Sequence, residues 1–232
     1  MSLLNLPQVK PNSTQTHISV KSNFQKSCTL HKKLQDFTYD TINPTMNIPK
    51  IAIVNYQAGN LRSVQKALEK SGAKATITDN PSEIRRADAL VFPGQGANDS
   101  SMRHLKARGL VGPIKNFIAG GRPFLGVCLG LQLLLDGSDE GVEPGLGILS
   151  GWSRRLPAGL KVPHMGWNQV EFRRSHPVLE GVPSGSHFYF VHSYYADTES
   201  TSLTVGATSY GVEFCSAVAW DNVVAVQFHP EK

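Results

Sequence analysis

The chain has 232 residues, 40% hydrophobic and 18% charged, with three Cys. That is enough for one α/β domain with a sizeable core, and its longest uncharged apolar stretch, residues 126–135, is too short to span a bilayer. The formal charge of +5 is concentrated at the start, where five Lys in residues 1–45 face only Asp36 and Asp40; the near-neutral remainder is no phosphate-gripping surface, which excludes nucleic acid as a partner.

Residues 1–45 are rich in Ser, Thr, Asn and Gln and contain no Glu. Their apolar residues follow no period, so the segment is expected to be a disordered extension. It reads either as a transit peptide or as sequence upstream of a start at Met46. No apolar signal core follows the N-terminus, so a cytoplasmic location is expected, or a plastid one under the transit reading. Cys28, Cys128 and Cys215 are odd in number and far apart, which argues against a disulfide framework and against a CxxC metal knuckle.

From Lys50 the pattern changes. Residues 50–55 (KIAIVN) form an apolar, β-branched strand. A Gly-containing turn and a helix over 60–71 follow, with Leu61, Val64, Ala67 and Leu68 on one face. Next come a strand at 75–78, a short helix at 82–87, a strand at 89–92, a Gly-rich turn at 93–96, a helical region over 100–119 and a strand at 123–127. Strands alternating with helices predict an α/β fold with a mostly parallel central sheet flanked by helices. Residues 147–228 are richer in short strands, at 188–195, 203–208, 214–220 and 223–228, which adds antiparallel strands to that sheet.

Three pieces carry chemistry. Gly126-Val127-Cys128-Leu129-Gly130 follows an apolar strand and opens a helical run over 129–135. This has the shape of a nucleophile elbow with Cys as the nucleophile, placing sulfur at a helix N-terminus that favours thiolate. In His229-Pro230-Glu231 an extended backbone would turn His229 and Glu231 to the same side. The carboxylate could then orient the imidazole serving the thiol. The Phe92-Pro93-Gly94-Gln95-Gly96 turn fails as a dinucleotide fingerprint, because Asp99 stands where a third Gly is required. It could still offer backbone N–H groups to an oxyanion opposite Leu129. His164, His176, His187 and His192 lack H-x-x-x-H or H-x-H spacing, so neither a metal nor a cofactor is expected.

In this order the three pieces resemble the class I, triad-type glutamine amidotransferases. A finer similarity, to the glutaminase subunits of imidazole glycerol phosphate synthase, rests on residues 59–64 (GNLRSV), 124–132 (FLGVCLGLQ), 162–168 (VPHMGWN) and 190–194 (FVHSY). It runs from Met46 to Lys232, the expected amidotransferase domain. The resemblance implies a Cys128 nucleophile, a His229 acid–base and a Glu231 orienter. It implies hydrolysis of glutamine to glutamate and ammonia, with Gly94, Gly96, Leu129, Gln132, Ser193 and Tyr194 around the substrate. It further implies a (βα)8-barrel cyclase of histidine biosynthesis as heterodimer partner, receiving ammonia through a channel. Asn60, His164, Met165, Trp167, Tyr189 and Lys232 would face that partner, with residues 163–167 as a loop. An inactive binding subunit, or a glutaminase of another pathway, are the alternatives. Two departures stand out: Gln95 replaces a small aliphatic residue, and the chain stops at Lys232 where the family continues through a C-terminal helix. The second departure implies a truncated domain, destabilised by several kcal/mol at roughly 25 cal/mol per Å² of apolar surface left uncovered.

Overall fold

A computed structural model describes residues 48–232. The extension expected to be disordered lies outside these residues. Strands β1 (Lys50–Val54), β2 (Lys74–Thr78), β3 (Ala89–Gly94), β4 (Phe124–Cys128) and β12 (Val223–Val226) run parallel in the order β2-β1-β3-β4-β12. The sheet continues antiparallel through β11 (Glu213–Trp220), β10 (Thr204–Ser209), β7 (His164–Phe172) and β8 (Ser186–His192). A side branch of β5 (Gly137–Ser138), β6 (Gly151–Arg155) and β9 (Tyr194–Thr198) joins it at β11. The fold is the expected α/β architecture, with its large sheet mixed in strand direction.

The helices form where the sequence carries their signals. In α1 (Leu61–Lys70), Val64 and Leu68 are buried against Ile53, Ala75 and Val91 on one face of the sheet. In α2 (Pro81–Arg86), the Asn80 side chain accepts the Ser82 N–H at 2.8 Å and Pro81 opens the first turn. The helical region expected over 100–119 is two helices, α3 (Asn98–Ala107) and α4 (Val111–Ala119). Gly109 breaks it: at φ 63 it donates to Lys106 O at 3.0 Å while Leu110 donates to Leu105 O at 2.9 Å. This is a Schellman ending, which a residue with a side chain adopts only at a cost. Met102, Leu105, Ile114 and Phe117 bury themselves on the sheet face opposite α1, with Tyr56, Leu90 and Phe92.

Two corrections concern the second half. Residues 163–167, expected as a loop, lead into β7, whose His164–Val170 pair antiparallel with β8. Alternation explains it: His164 is buried, while Met165 and Trp167 are exposed. The strand expected at 188–195 is two strands that part at Ser193, β8 pairing with β7 and β9 with β6 and β11. That corner brings residues 193–194 to the C-terminal edge of the parallel strands, where open α/β sheets place their sites.

Candidate active site

Parallel register sets Cys128 beside Gly94 at the ends of β4 and β3. Cys128 has φ 54 and stands at the start of the short helix α5 (Leu129–Gln132). Non-glycine residues rarely hold such a conformation, and where they do the surrounding packing enforces it. Both flanking glycines are required. A Cβ on Gly126 would lie 2.9 Å from Ala225 Cβ, and one on Gly130 would lie 1.8 Å from Phe92 O. The elbow read from the sequence is therefore formed, and α5 packs too tightly on β3 for any side chain at 130.

The strand β12 delivers the second piece. Past its end, Gln227, Phe228 and His229 are buried, and the His229 N–H donates to Tyr189 O of β8 at 2.9 Å. His229 Nδ1 donates to Glu231 Oε1 at 2.8 Å, with both side chains almost fully buried. The same oxygen accepts a hydrogen bond from Asn60 Nδ2. His229 Nε2 has no hydrogen-bond partner among the described residues. Burial opposes charge on this ring, but the Cys128 sulfur and the Glu231 carboxylate beside it outweigh burial and raise its pKa to about 10. These neighbours favour the imidazolium form of the ring, the form that stabilises an adjacent thiolate.

Cys128 Sγ lies 3.9 Å from Val191 O and accepts from Gln227 Nε2 at 3.6 Å. It opens into a cavity of about 360 Å³ lined by Gln95, Gly96, Leu129, Gln132, Glu140, Pro163, Val191, His192, Ser193 and Tyr194. Five of the six residues expected around the substrate line it. The sixth, Gly94, lies behind: a Cβ there would sit 2.0 Å from Tyr56 Oη. Tyr56 is buried and donates to Pro93 O at 2.9 Å, so it clamps the Gly-rich strand. Burial first, and then the neighbouring Cys128, push its phenol above the usual range. Sequence reasoning missed Tyr56 and Gln227, since neither belongs to a local motif. Gln95 packs its side-chain oxygen against Gly59, 2.7 Å from where a Cβ would stand.

The residues expected to face a partner divide. Met165 and Trp167 are 60% and 57% exposed, and Lys232 is also exposed. Half-buried Tyr189 meets the Trp167 ring edge-on at 5.8 Å and the His229 ring at 6.5 Å. His164 is different: it is buried, stacked between Phe190 and Tyr210, and hydrogen-bonded to His192. Its place on the inward face of β7 takes it off the surface. Asn60 turns its amide inward to Glu231.

The comparisons with known proteins identify the family. The family model for class-I glutamine amidotransferases matches residues 52–232. The imidazole glycerol phosphate synthase subunit HisH of Nostoc punctiforme is 49% identical over 189 residues, 80% of this chain and 90% of that one. The protein of the same name from Rhodopirellula baltica is 51% identical over 185 residues, 78% and 90% of the two chains. Among solved structures, PurLQS from Thermotoga maritima superposes with a TM-score of 0.62 at 17% identity, over 80% of this chain and 89% of that one. A crystal structure titled only as a glutamine amidotransferase also gives 0.62, at 22% identity over 78% and 90%. The chain belongs to the class I glutamine amidotransferase family, in the branch of the HisH subunits.

Proposed function

We propose that this protein is the glutaminase subunit of imidazole glycerol phosphate synthase, working through Cys128, His229 and Glu231. The observation that carries the proposal is the buried His229–Glu231 pair at 2.8 Å, with the other imidazole nitrogen unpartnered among the described residues and the Cys128 sulfur acting on the same ring. The Cys128 thiolate attacks the side-chain amide carbon of glutamine. The charge on the tetrahedral oxygen falls to the Leu129 N–H at the start of α5, where the first N–H groups of a helix lack intrahelical partners, and to the Gly94–Gly96 strand. The His229 imidazolium protonates the departing nitrogen, which leaves as ammonia. The neutral ring then takes a proton from water as water attacks the thioester, releasing glutamate and regenerating thiolate and imidazolium. Glu231 holds the tautomer throughout.

Gln132 supplies a substrate contact of defined polarity. Its Nε2 donates to Tyr194 O at 2.7 Å and to Gln227 Oε1 at 3.0 Å, so both amide hydrogens are used. What remains is Oε1, an acceptor suited to the α-ammonium of glutamine. The exposed Met165 and Trp167, joined to the triad through Tyr189, are the docking patch for the cyclase partner, since apolar surface beside a site marks an interaction face.

Cys128→Ala in the complex tests the nucleophile. Glutamate release is expected to vanish while ammonia-driven cyclisation by the partner continues. Residual glutamine hydrolysis would remove Cys128 from the mechanism. Wild-type chain that binds the cyclase yet releases no glutamate would replace this reading with that of an inactive docking subunit.

A further inference from the structure

From His192 in the cavity lining, a row of polar groups runs along β8 and β7 that the proposed chemistry leaves unused. Asn168 Oδ1 accepts the Gln169 N–H at 2.8 Å, and its Nδ2 faces Ser209 O at 3.1 Å. Those two contacts fix the amide orientation, because a flipped amide would set oxygen against a carbonyl. The second hydrogen on Asn168 Nδ2 then points to His164 Nε2 at 3.2 Å, which must accept. His164 Nδ1 carries the hydrogen and donates to His192 Nε2 at 2.9 Å. At the far end His192 Nδ1 faces Tyr194 O at 2.9 Å, an obligate acceptor, so this nitrogen also carries a hydrogen. Every partner is satisfied in one direction only, and only with both rings neutral.

Tyr194 O is also the acceptor for Gln132 Nε2, and Gln227, the other acceptor for that amide, donates to Cys128 Sγ. The row therefore ends on the carbonyl that sets the aim of the Gln132 oxygen. We propose that Asn168, His164 and His192 form a one-way, neutral hydrogen-bond chain that fixes the Tyr194 carbonyl and, through it, Gln132 for binding of the substrate glutamine. His192 and His164 are positioning residues, and the chain rests on the glutaminase reading for its ligand. Both rings are buried in a setting that suits neutral imidazole: burial lowers His164, and it pulls His192 down to about 4 against the Tyr194 carbonyl, with His164 and His229 adding to the fall.

Two measurements on the complex with the cyclase test it. Side-chain ¹⁵N spectra of the wild type at pH 7, assigned with the single variants, are expected to show His164 and His192 both neutral and both protonated on Nδ1. A cation or an Nε2-protonated tautomer at either ring overturns the chain. This readout does not depend on turnover, so it stands apart from a failure of the glutaminase reading, which would appear as absent glutamate release in the wild type. In kinetics, His192→Phe keeps an aromatic ring and removes the donor. It is expected to raise KM for glutamine about tenfold while kcat stays within about threefold. His192→Asn, whose amide can donate to Tyr194 O, is expected to bring KM back to within about threefold of wild type. An unchanged KM in folded His192→Phe, a loss confined to kcat, or no recovery with Asn overturns the positioning role.

Discussion

The side-chain amide of Asn60 and the carboxylate of Glu231 are hydrogen-bonded although 171 positions separate them in the chain. Asn60 occupies the N-cap of α1 at φ 69, yet it makes no side-chain bond to its own helix. Its donor goes to the oxygen that also takes His229 Nδ1, while Glu231 Oε2 is buried without a partner among the described residues. A residue type that ordinarily caps a helix has been given over to the carboxylate that holds His229.

Removing that donor should therefore act on catalysis. A hydrogen bond to a charged group contributes about 1.5–3 kcal/mol, so Asn60→Ala is expected to lower kcat for glutamine hydrolysis by at least about tenfold. The same loss, with Ala held at the φ of 69, should also lower the thermal midpoint by several degrees, although no helix cap is removed. Steady-state kinetics beside a melt decide it: an unchanged kcat would mean that Glu231 is held in place by other contacts.

The His229 charge makes stability depend on pH in a defined direction. Its ring titrates near 6.5 when unfolded and is raised to about 10 in the fold. A raised pKa means the contribution is complete below pH 6.5 and is lost as pH climbs toward about 10. Denaturant unfolding of the wild type should therefore lose stability across that window more steeply than His229→Gln. Parallel slopes for the two proteins would contradict the ion pair.

Position 130 tolerates nothing but glycine. The Cβ of Ala would meet Phe92 O at 1.8 Å, and that oxygen belongs to β3 backbone that cannot swing aside. Gly130→Ala is expected to cost about 3 kcal/mol or to prevent folding. Gly96→Ala is the control. There a Cβ meets nothing within 4 Å and only the φ of 109 is strained, a cost of order 1–3 kcal/mol. Denaturation midpoints ranking the two variants the other way would show that the elbow can relax.

Trp167 is expected to matter for association and not for folding. With 57% of its surface exposed, Trp167→Ala should change stability by less than about 0.5 kcal/mol. Aromatic anchors carry a large share of interface energy, so the same variant should weaken binding to the cyclase by about 2 kcal/mol or more. Calorimetric titration measures this, and an unchanged affinity would place the docking patch elsewhere.

What could be read from the chain was what neighbours in sequence decide. The G-x-C-x-G elbow, the His-x-Glu spacing and the strand–helix alternation from Lys50 are local patterns that the structure contains, although the helix expected over 129–135 stops at Gln132. The Schellman ending at Gly109 was equally local, although the helical reading of 100–119 passed over it. Long-range packing decided the rest. β7 exists because residues 164–170 find β8 as an antiparallel partner, and that pairing turned His164 inward to His192. The bond from Asn60 to Glu231 and the clamp of Tyr56 on Pro93 join segments far apart in sequence. No periodicity announces them, because they form only when the sheet brings the ends of β1, β3, β4 and β12 to one edge. The sequence alone marked the Cys128 elbow and the His229–Glu231 spacing, because both are local, and the tertiary structure decided which distant groups pack against them, because only the folded sheet brings Asn60, Tyr56 and Gln227 to that edge.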